Sequence, residues 1–567
     1  MRRRRLVTRP IPADGHDLPA HLHPVLKRVY LGRGVRRAEE LDYALGRLPP
    51  PGGLRGIDAM SAHLAEAVAA GRRILVVADY DADGATACAL AVSGLRALGA
   101  RAVDFIVPDR FRLGYGLTPG LVREALERRP EVLLTVDNGI ASVQGVAAAK
   151  AAGLTVLITD HHLPGDTLPA ADAIVDPNLP GDTFPSKALA GVGVMFYVLA
   201  ALRARLREAG AAQAVRLADW LDLVALGTVA DVVPLDTVNR ILVQQGLARI
   251  RQGRARPGVR ALVDVSGRDP ADLVAADLAF ALGPRLNAAG RLDDMTVGIR
   301  CLLSDDPVEA RALARRLDAL NRQRRDIEAQ MQAEALKILD GRDWMAESAA
   351  LCLYDPGWHE GVVGILASRL KERTGKPVIA FAPGEDGLLK GSARSIPGLH
   401  VRDLLAAVDA AEPGLIERFG GHAMAAGLSL KPAHLDRFAA AFEARVAAAG
   451  VGDDGTLVTD GELTPAELNL DLAERLRRAG PWGQGFPEPR FHGDFTVRRA
   501  RIVGERHLKL TLQPPEGPVL DAIAFNLDEP AAWLDCSRLR LAYQLDVNEF
   551  RGCRDVQLKA DYLEPLP

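Results

Sequence analysis

The chain has 567 residues, 48% of them apolar and 25% charged, which is the length and balance of a globular protein built from three or four units. Its 70 Lys/Arg against 73 Asp/Glu leave a net charge of −3, and that total neither favours nor excludes a nucleic-acid ligand, because a local groove decides such binding. No apolar run reaches the roughly 18 residues of a spanning helix, no apolar signal core follows the basic MRRRRLVTRP, and none of Cys88, Cys301, Cys352, Cys536 and Cys553 forms a CxxC pair. A membrane protein, a secreted disulfide framework and a zinc ribbon are therefore argued against, and a cytoplasmic location is expected.

Residues 1–57 read as an N-terminal extension ending in the turn-rich LPPPGGLRG. Its first 37 residues carry ten Lys/Arg against two Asp/Glu, which suits either a phosphate backbone or a solvated tail. From there helical spacing over 60–70 leads into RILVVAD, a buried strand, and then into the helical ATACALAVSGLRALGA. Short apolar runs recur at 102–107, 131–136, 154–159 and 172–175, with the helix candidates GLTPGLVREALERRP and ASVQGVAAAKAAG between them. Strands separated in this way predict a mostly parallel sheet covered by helices. Residues 189–250 read as largely helical. Asp306 and Pro307 suit a helix start, and Leu313, Leu317, Leu320, Ile327, Met331, Ala335 and Ile338 continue it as one long amphipathic helix. A second α/β unit follows, with strands in AALCLYD, PVIAFAP and LLKGSARS and helices near 362–373, 400–410 and 433–449. The last stretch holds five short strand patterns, from DFTVRRARIVG to DVQLKADYLE, which fit a small β-barrel.

Acidic and histidine residues stand at the ends of the apolar strands. Asp79, Asp81 and Asp83 lie in VVADYDADG, Asp137 closes EVLLTVDNG, and Asp160, His161 and His162 close LTVLITDHH. Asp231 interrupts the apolar run of ALGTVADVVPL. In open parallel sheets ligands bind beyond the carboxyl ends of the strands, so three separate groups point to one edge. Burying carboxylates together costs several kcal/mol each unless positive charge neutralises them. Two divalent cations about 4 Å apart would do so, and would also activate water against a phosphate ester. Asp, His and water suit Mg²⁺ or Mn²⁺. If DYDAD is extended, its alternate aspartates face one site; the competing reading is a turn capping the next helix.

DYDADG, TVDNG, DHH and GTVADVVPL resemble the four motifs of the DHH phosphoesterase superfamily. With FALGPRLNAAGRL, WHEGVVGILASR, KGSARS and FGGHAMAAGL, the series resembles the RecJ family of single-strand-specific 5′→3′ DNA exonucleases over nearly the whole chain. The resemblance implies a multidomain α/β architecture: a parallel-sheet DHH domain at 58–304, a connecting helix at 305–345, a DHHA1-type domain at 346–450, and an OB-like barrel that binds nucleic acid at 451–567.

It further implies catalysis by Asp79, Asp81, Asp83, Asp137, His161, His162 and Asp231. All of these except His162 would ligate two Mn²⁺ or Mg²⁺ ions, while Asp160 orients a neighbour and His162 contacts the scissile phosphate. Val77 stands where some other members of the superfamily carry a histidine, four residues before Asp81. Substrate contacts are expected from Arg110, Arg285, Asn287, Arg291, Ser392, Arg394 and His422, and from Trp482 and Lys509 in the last domain. The implied protein is a monomer with no membrane role, acting on single-stranded DNA with a 5′ end in recombination and mismatch repair, beside single-strand-binding protein and a repair helicase. Two other readings are an oligoribonucleotide or cyclic-dinucleotide phosphodiesterase of the same superfamily, and a non-catalytic DNA-binding scaffold.

Overall fold

A computed structural model describes every residue except 1–3, 13–14, 110–114, 212–213, 340–347, 451–454, 528 and 551, and all side chains of the described residues except that of Phe550. The chain forms two compact units, Met1–Leu286 with Met295–Arg315 and Thr456–Pro567, and Asn287–Asp294 with Arg316–Gly455. Among the described residues no helix is long and apolar enough to cross a membrane.

The first unit opens with β1 (Arg5–Thr8) and the helix Pro24–Gly32. Next come β2 (Arg73–Ala78), β3 (Ala102–Ile106), β4 (Val132–Val136), β5 (Thr155–Thr159) and β6 (Ala173–Val175). They form one all-parallel sheet in the order β3-β2-β4-β5-β6. RILVVA, VLLTV and TVLIT are near-continuous apolar runs because both sheet faces are covered, as a parallel sheet requires. The register sets the site. Ala78, Val136, Thr159 and Val175 are partners in one row across four strands. The residue after each of them is an aspartate: Asp79, Asp137, Asp160 and Asp176.

DYDAD is not extended, contrary to one sequence expectation. β2 stops at Ala78, and the chain turns at once into the helix Ala82–Ala97. Asp81 is its N-cap, accepting from the Gly84 amide at 2.9 Å, and Asp83 lies in the first turn. The unmet amides of a helix start outcompete strand continuation here. A Cβ on Gly84 would stand 2.6 Å from that of Asp79, so the turn needs glycine.

In the second unit, β7 (Leu351–Tyr354), β8 (Val378–Pro383), β9 (Leu389–Arg394), β10 (Arg418–Gly421) and β11 (Ala425–Leu430) make a mixed sheet in the order β10-β11-β9-β8-β7. The helix Pro307–Leu339, 33 residues long, starts in the first unit and continues in the second; the remainder of the expected helical stretch, 340–345, lies outside the described residues.

β12 (Thr456–Thr459) returns to the first unit and pairs in parallel with β1. The barrel follows as β13 (Phe491–Val503), β14 (His507–Gln513), β15 (Leu520–Ala524), β16 (Arg538–Phe550) and β17 (Cys553–Pro565). Its pairings run β13-β14-β15-β17-β16 and return to β13. The described part of the basic N-terminal arm is not a free tail. Arg33 makes a buried two-pronged ion pair with Asp460 at 2.7 and 2.9 Å, Arg28 donates to the Glu462 carbonyl, and Tyr30 donates to the Ala479 carbonyl.

Candidate metal centre

The row of aspartates meets Asp83 and Asp231 at the carboxyl edge of the sheet. Asp79, Asp83, Asp137, Asp160 and Asp176 are each at most 4% exposed. His161 Nε2 lies 3.0 Å from Asp137 Oδ1, 3.5 Å from Asp231 Oδ2 and 3.9 Å from Asp83 Oδ2. Two non-overlapping triads have ligand atoms all within 4.8 Å of one another: Asp83–His161–Asp231 and Asp79–Asp81–Asp137. Together they contain all six residues expected from the sequence to hold cations. Asp137, His161 and His162 form a third such group.

The buried acids of this edge oppose one another's ionisation in the metal-free protein. Burial, then repulsion from Asp81, pushes Asp83 up to about 7. Burial followed by neighbouring carboxylates drives Asp79, Asp137 and Asp231 well above the usual carboxylate range. Among the described residues Asp137 Oδ1 is buried without a hydrogen-bond donor, although His161 Nε2 is close. Asp137 also sits at φ 62°, a left-handed conformation that an aspartate adopts at some cost and that strained functional positions commonly show. A carboxylate donor set of this kind, with one imidazole and no thiolate, fits hard divalent cations.

The surroundings hold these side chains in place. Asp83 accepts from the amides of Gly191 and Val192 at 2.6 and 3.0 Å, at the start of the helix Gly191–Glu208, where unmet amides favour an anion. A Cβ on Gly191 would come within 2.5 Å of Asp137 Cβ and 2.6 Å of its Oδ1, so only glycine leaves room for that carboxylate. Asp160 accepts from the amides of Ile140 and His161 and from His162 Nδ1 at 2.7 Å. Burial opposes ionisation of Asp160, but these contacts outweigh it and hold the carboxyl below its ordinary range. Burial also opposes charge on His162, yet the Asp160 hydrogen bond and the surrounding acids raise it to about 9. His162 is thus a cation at neutral pH in the metal-free protein.

Sequence reasoning missed three neighbours. Tyr115, 43% exposed, donates to the Asp137 carbonyl at 3.3 Å and meets the His162 ring edge-on. Asp176, fully buried, is raised to about 7 by burial and by Asp160. Asn178 donates to the His161 carbonyl at 2.6 Å. An aspartate ending the apolar run AIV was the available signal for Asp176; Tyr115 carried none.

Three family models match in order: "DHH family, N-terminal domain" over 73–228, "DHHA1 domain" over 347–448 and "RecJ OB domain" over 459–562. A single-stranded-DNA-specific exonuclease RecJ of Dickeya dadantii (strain 3937) is 54% identical, with 98% of each chain covered. The Escherichia coli (strain K12) protein of the same name is 52% identical, with 97% of each covered. The chain belongs to the RecJ family. A crystal structure of a family member from Thermus thermophilus in complex with Mn²⁺ superposes with a TM-score of 0.83 at 33% identity, covering 100% of this chain and 80% of that one. The same organism's protein in complex with Mg²⁺ gives 0.75, covering 96% and 75%.

The remaining RecJ-like motifs land in several places. Arg110 lies outside the described residues. Asn287, Arg291, Ser392, Arg394 and His422 belong to the second unit. There Arg394 donates to the hydroxyls of Ser368 and Ser392 at 3.1 and 2.9 Å, beside Gly364, whose absent Cβ leaves room for the guanidinium. Arg291 donates to the Gly361 carbonyl at 3.1 Å, Asn287 is half-buried, and His422 is exposed in the turn from β10 to β11. Lys509, on the barrel, is ion-paired with Asp521 at 2.8 Å.

Two of the residues expected to contact substrate are buried. Arg285 is 8% exposed and donates to the carbonyls of Ala281 and Val265. Trp482 is 6% exposed, donates to the Leu476 carbonyl, and stacks with Tyr30 and Phe486 at 5.9 and 5.1 Å.

Proposed function

We propose that this chain is a divalent-cation-dependent, single-strand-specific 5′→3′ exodeoxyribonuclease that releases 5′-mononucleotides. The observation carrying the reading is the pair of triads at the sheet edge, one of two aspartates with His161 and one of three aspartates, with Asp137 Oδ1 buried and, among the described residues, without a hydrogen-bond donor. Substrate and strand preference come from the RecJ relatives, which carry the name of single-stranded-DNA-specific exonucleases; the polarity comes from the motif resemblance.

In this reading Asp83, His161 and Asp231 hold one cation and Asp79, Asp81 and Asp137 the other. Bound Mn²⁺ or Mg²⁺ supplies Lewis acidity and positive charge at the phosphoryl group. Protonated His162, aligned by Asp160, donates to a phosphoryl oxygen whose charge grows in the transition state. The water oxygen bonds to phosphorus and the P–O3′ bond breaks. The freed nucleotide keeps its 5′ phosphate and gains a 3′ hydroxyl, and the shortened strand carries a new 5′ phosphate. Arg394 and Ser392 supply donors suited to a 5′ phosphate, Arg291 and His422 add to that grip, and the barrel holds unpaired strand through Lys509. Action as a cytoplasmic monomer in recombination and mismatch repair, beside single-strand-binding protein and a helicase, accompanies this reading.

One digestion series tests it. Single- and double-stranded DNA labelled at either end, RNA and a cyclic dinucleotide are incubated with Mg²⁺, Mn²⁺ or chelator. Loss of the 5′ label from single strands, only with cation, is expected. Preference for the cyclic dinucleotide or RNA would favour the phosphodiesterase reading, and no hydrolysis with either ion would favour a scaffold.

A further inference from the structure

Asp79, Asp137 and His161 follow the strands β2, β4 and β5, and Asp81 and Asp83 open the helix Ala82–Ala97 that leaves β2. Asp231 does neither. It stands at the C-terminal cap of the helix Leu221–Ala230, 22% exposed at its side chain. The next residue, Val232, has φ 64° and is 60% exposed, so a β-branched residue is held in the left-handed region with little packing of its own. Something beyond the local sequence must hold this corner.

The hold is visible at 234–235. The Leu235 amide donates to the Gln484 carbonyl at 2.7 Å, and its carbonyl accepts from Arg240, whose guanidinium lies 4.3 Å over the Phe486 ring. Gly485, at φ 71°, comes so close that a Cβ would stand 3.3 Å from Pro234 Cβ, and a Cβ on Gly483 would stand 2.7 Å from the Leu235 side chain. Gly483 and Phe486 exchange both backbone hydrogen bonds, closing the loop into a tight turn. Behind it, Tyr30 stacks on Trp482 and Phe486, and the Arg33 guanidinium lies 5.3 Å from Trp482 while gripping Asp460. Thus the basic N-terminal arm and the PWGQGF segment, two features the nuclease reading leaves without a task, converge on the backbone that follows Asp231.

We propose that loop 480–486, braced by Tyr30 and Arg33, is a positioning element that fixes Asp231 in the cation site. Trp482, Gly485 and Phe486 act through Asp231 and touch neither cation nor DNA. The proposal rests on the cation reading of the acid cluster. It makes the N-terminal arm and the entry to the barrel part of the metal centre's rigidity, so that damage to either loosens a ligand on another element. Supports that orient ligands in this way are commonly worth about 10- to 100-fold in metal affinity.

The test is Mn²⁺ titration of the full-length protein without DNA, by calorimetry and by electron paramagnetic resonance of bound Mn²⁺. Gly485→Ala and Trp482→Ala are expected to weaken the Mn²⁺ event by about tenfold or more and to broaden its spectrum. Trp482→Phe, which keeps a ring against Tyr30, should recover most of the loss. Leu510→Ala, at a buried position of β14 in the barrel, should lower thermal stability and keep the parental Mn²⁺ affinity. Parental affinity in folded Gly485→Ala or Trp482→Ala, or an equal weakening in Leu510→Ala, would overturn the proposal and leave the cation reading standing. A parent that binds no Mn²⁺ would overturn both.

Discussion

Stripping divalent cations should leave a protein whose stability falls as pH rises, because the acid cluster is then ionised without compensation. Asp83 gives the scale. Its ordinary value is 3.8 and the folded value about 7, set first by burial and then by Asp81. Between those values the folded chain keeps a proton that the unfolded chain has lost, so stability declines with rising pH. The decline is about 1.4 kcal/mol per pH unit for one such carboxyl, or about 4 kcal/mol over the whole window. Asp79, Asp137 and Asp231 are pushed the same way. His162 adds a fall of the same sign at higher pH, since its folded value is raised from 6.5 to about 9 and its contribution is lost as pH passes upward through that value. The assay is scanning calorimetry of chelated and Mn²⁺-loaded protein at pH 5, 6, 7 and 8. The chelated transition should move to lower temperature across this range. The Mn²⁺ gain should grow with pH, because cations bind the ionised carboxylates. A chelated transition that is flat or rises from pH 5 to 7, or an equal Mn²⁺ gain at pH 5 and 8, would refute the reasoning.

Gly191→Ala should place a methyl against the Asp137 carboxylate, displacing a ligand by ångström-scale movement and lowering kcat by about 100-fold; near-parental turnover would show that the cradle tolerates the methyl. Asp160→Asn removes the anion that holds His162 near 9, so NMR titration of the chelated variant should find the imidazole value much lower, and a value unchanged near 9 would assign the shift to the other acids. Asp460→Ala leaves Arg33 buried without its carboxylate. It should cost about 3–5 kcal/mol in the unfolding of the first unit, measured by denaturant titration, and a loss under about 1 kcal/mol would mean that the pair contributes no more than a surface bridge.

The parallel sheet and its acidic edge were legible because both rest on local signals. Continuous apolar runs mark strands covered on both faces, and an aspartate ending each run marks the edge. The same logic applied once more would have found Asp176, whose run, AIV, is only three residues long. The fate of the basic arm was not legible. β1 pairs with β12 across some 450 residues, a contact no local pattern encodes. The stacking of Trp482 on Tyr30 was hidden for a related reason: an aromatic among glycines and prolines looks alike whatever ring it meets, and only the tertiary fold supplies the partner. DYDAD allowed both a strand and a cap, and the helix start won because its free amides need acceptors. The hairpin of β10 and β11 escaped notice because FGGHAMAAGL is built from glycine and alanine, which carry little strand preference.

The central claim is that side chains from separate segments of the sheet edge and from Asp231 share divalent cations. Crystals grown with Mn²⁺, with diffraction collected at the manganese absorption edge, test it most directly. Two anomalous peaks are predicted, one ligated by Asp83, His161 and Asp231 and one by Asp79, Asp81 and Asp137. Peaks confined to other surfaces at saturating Mn²⁺, with these six side chains bare, would contradict it.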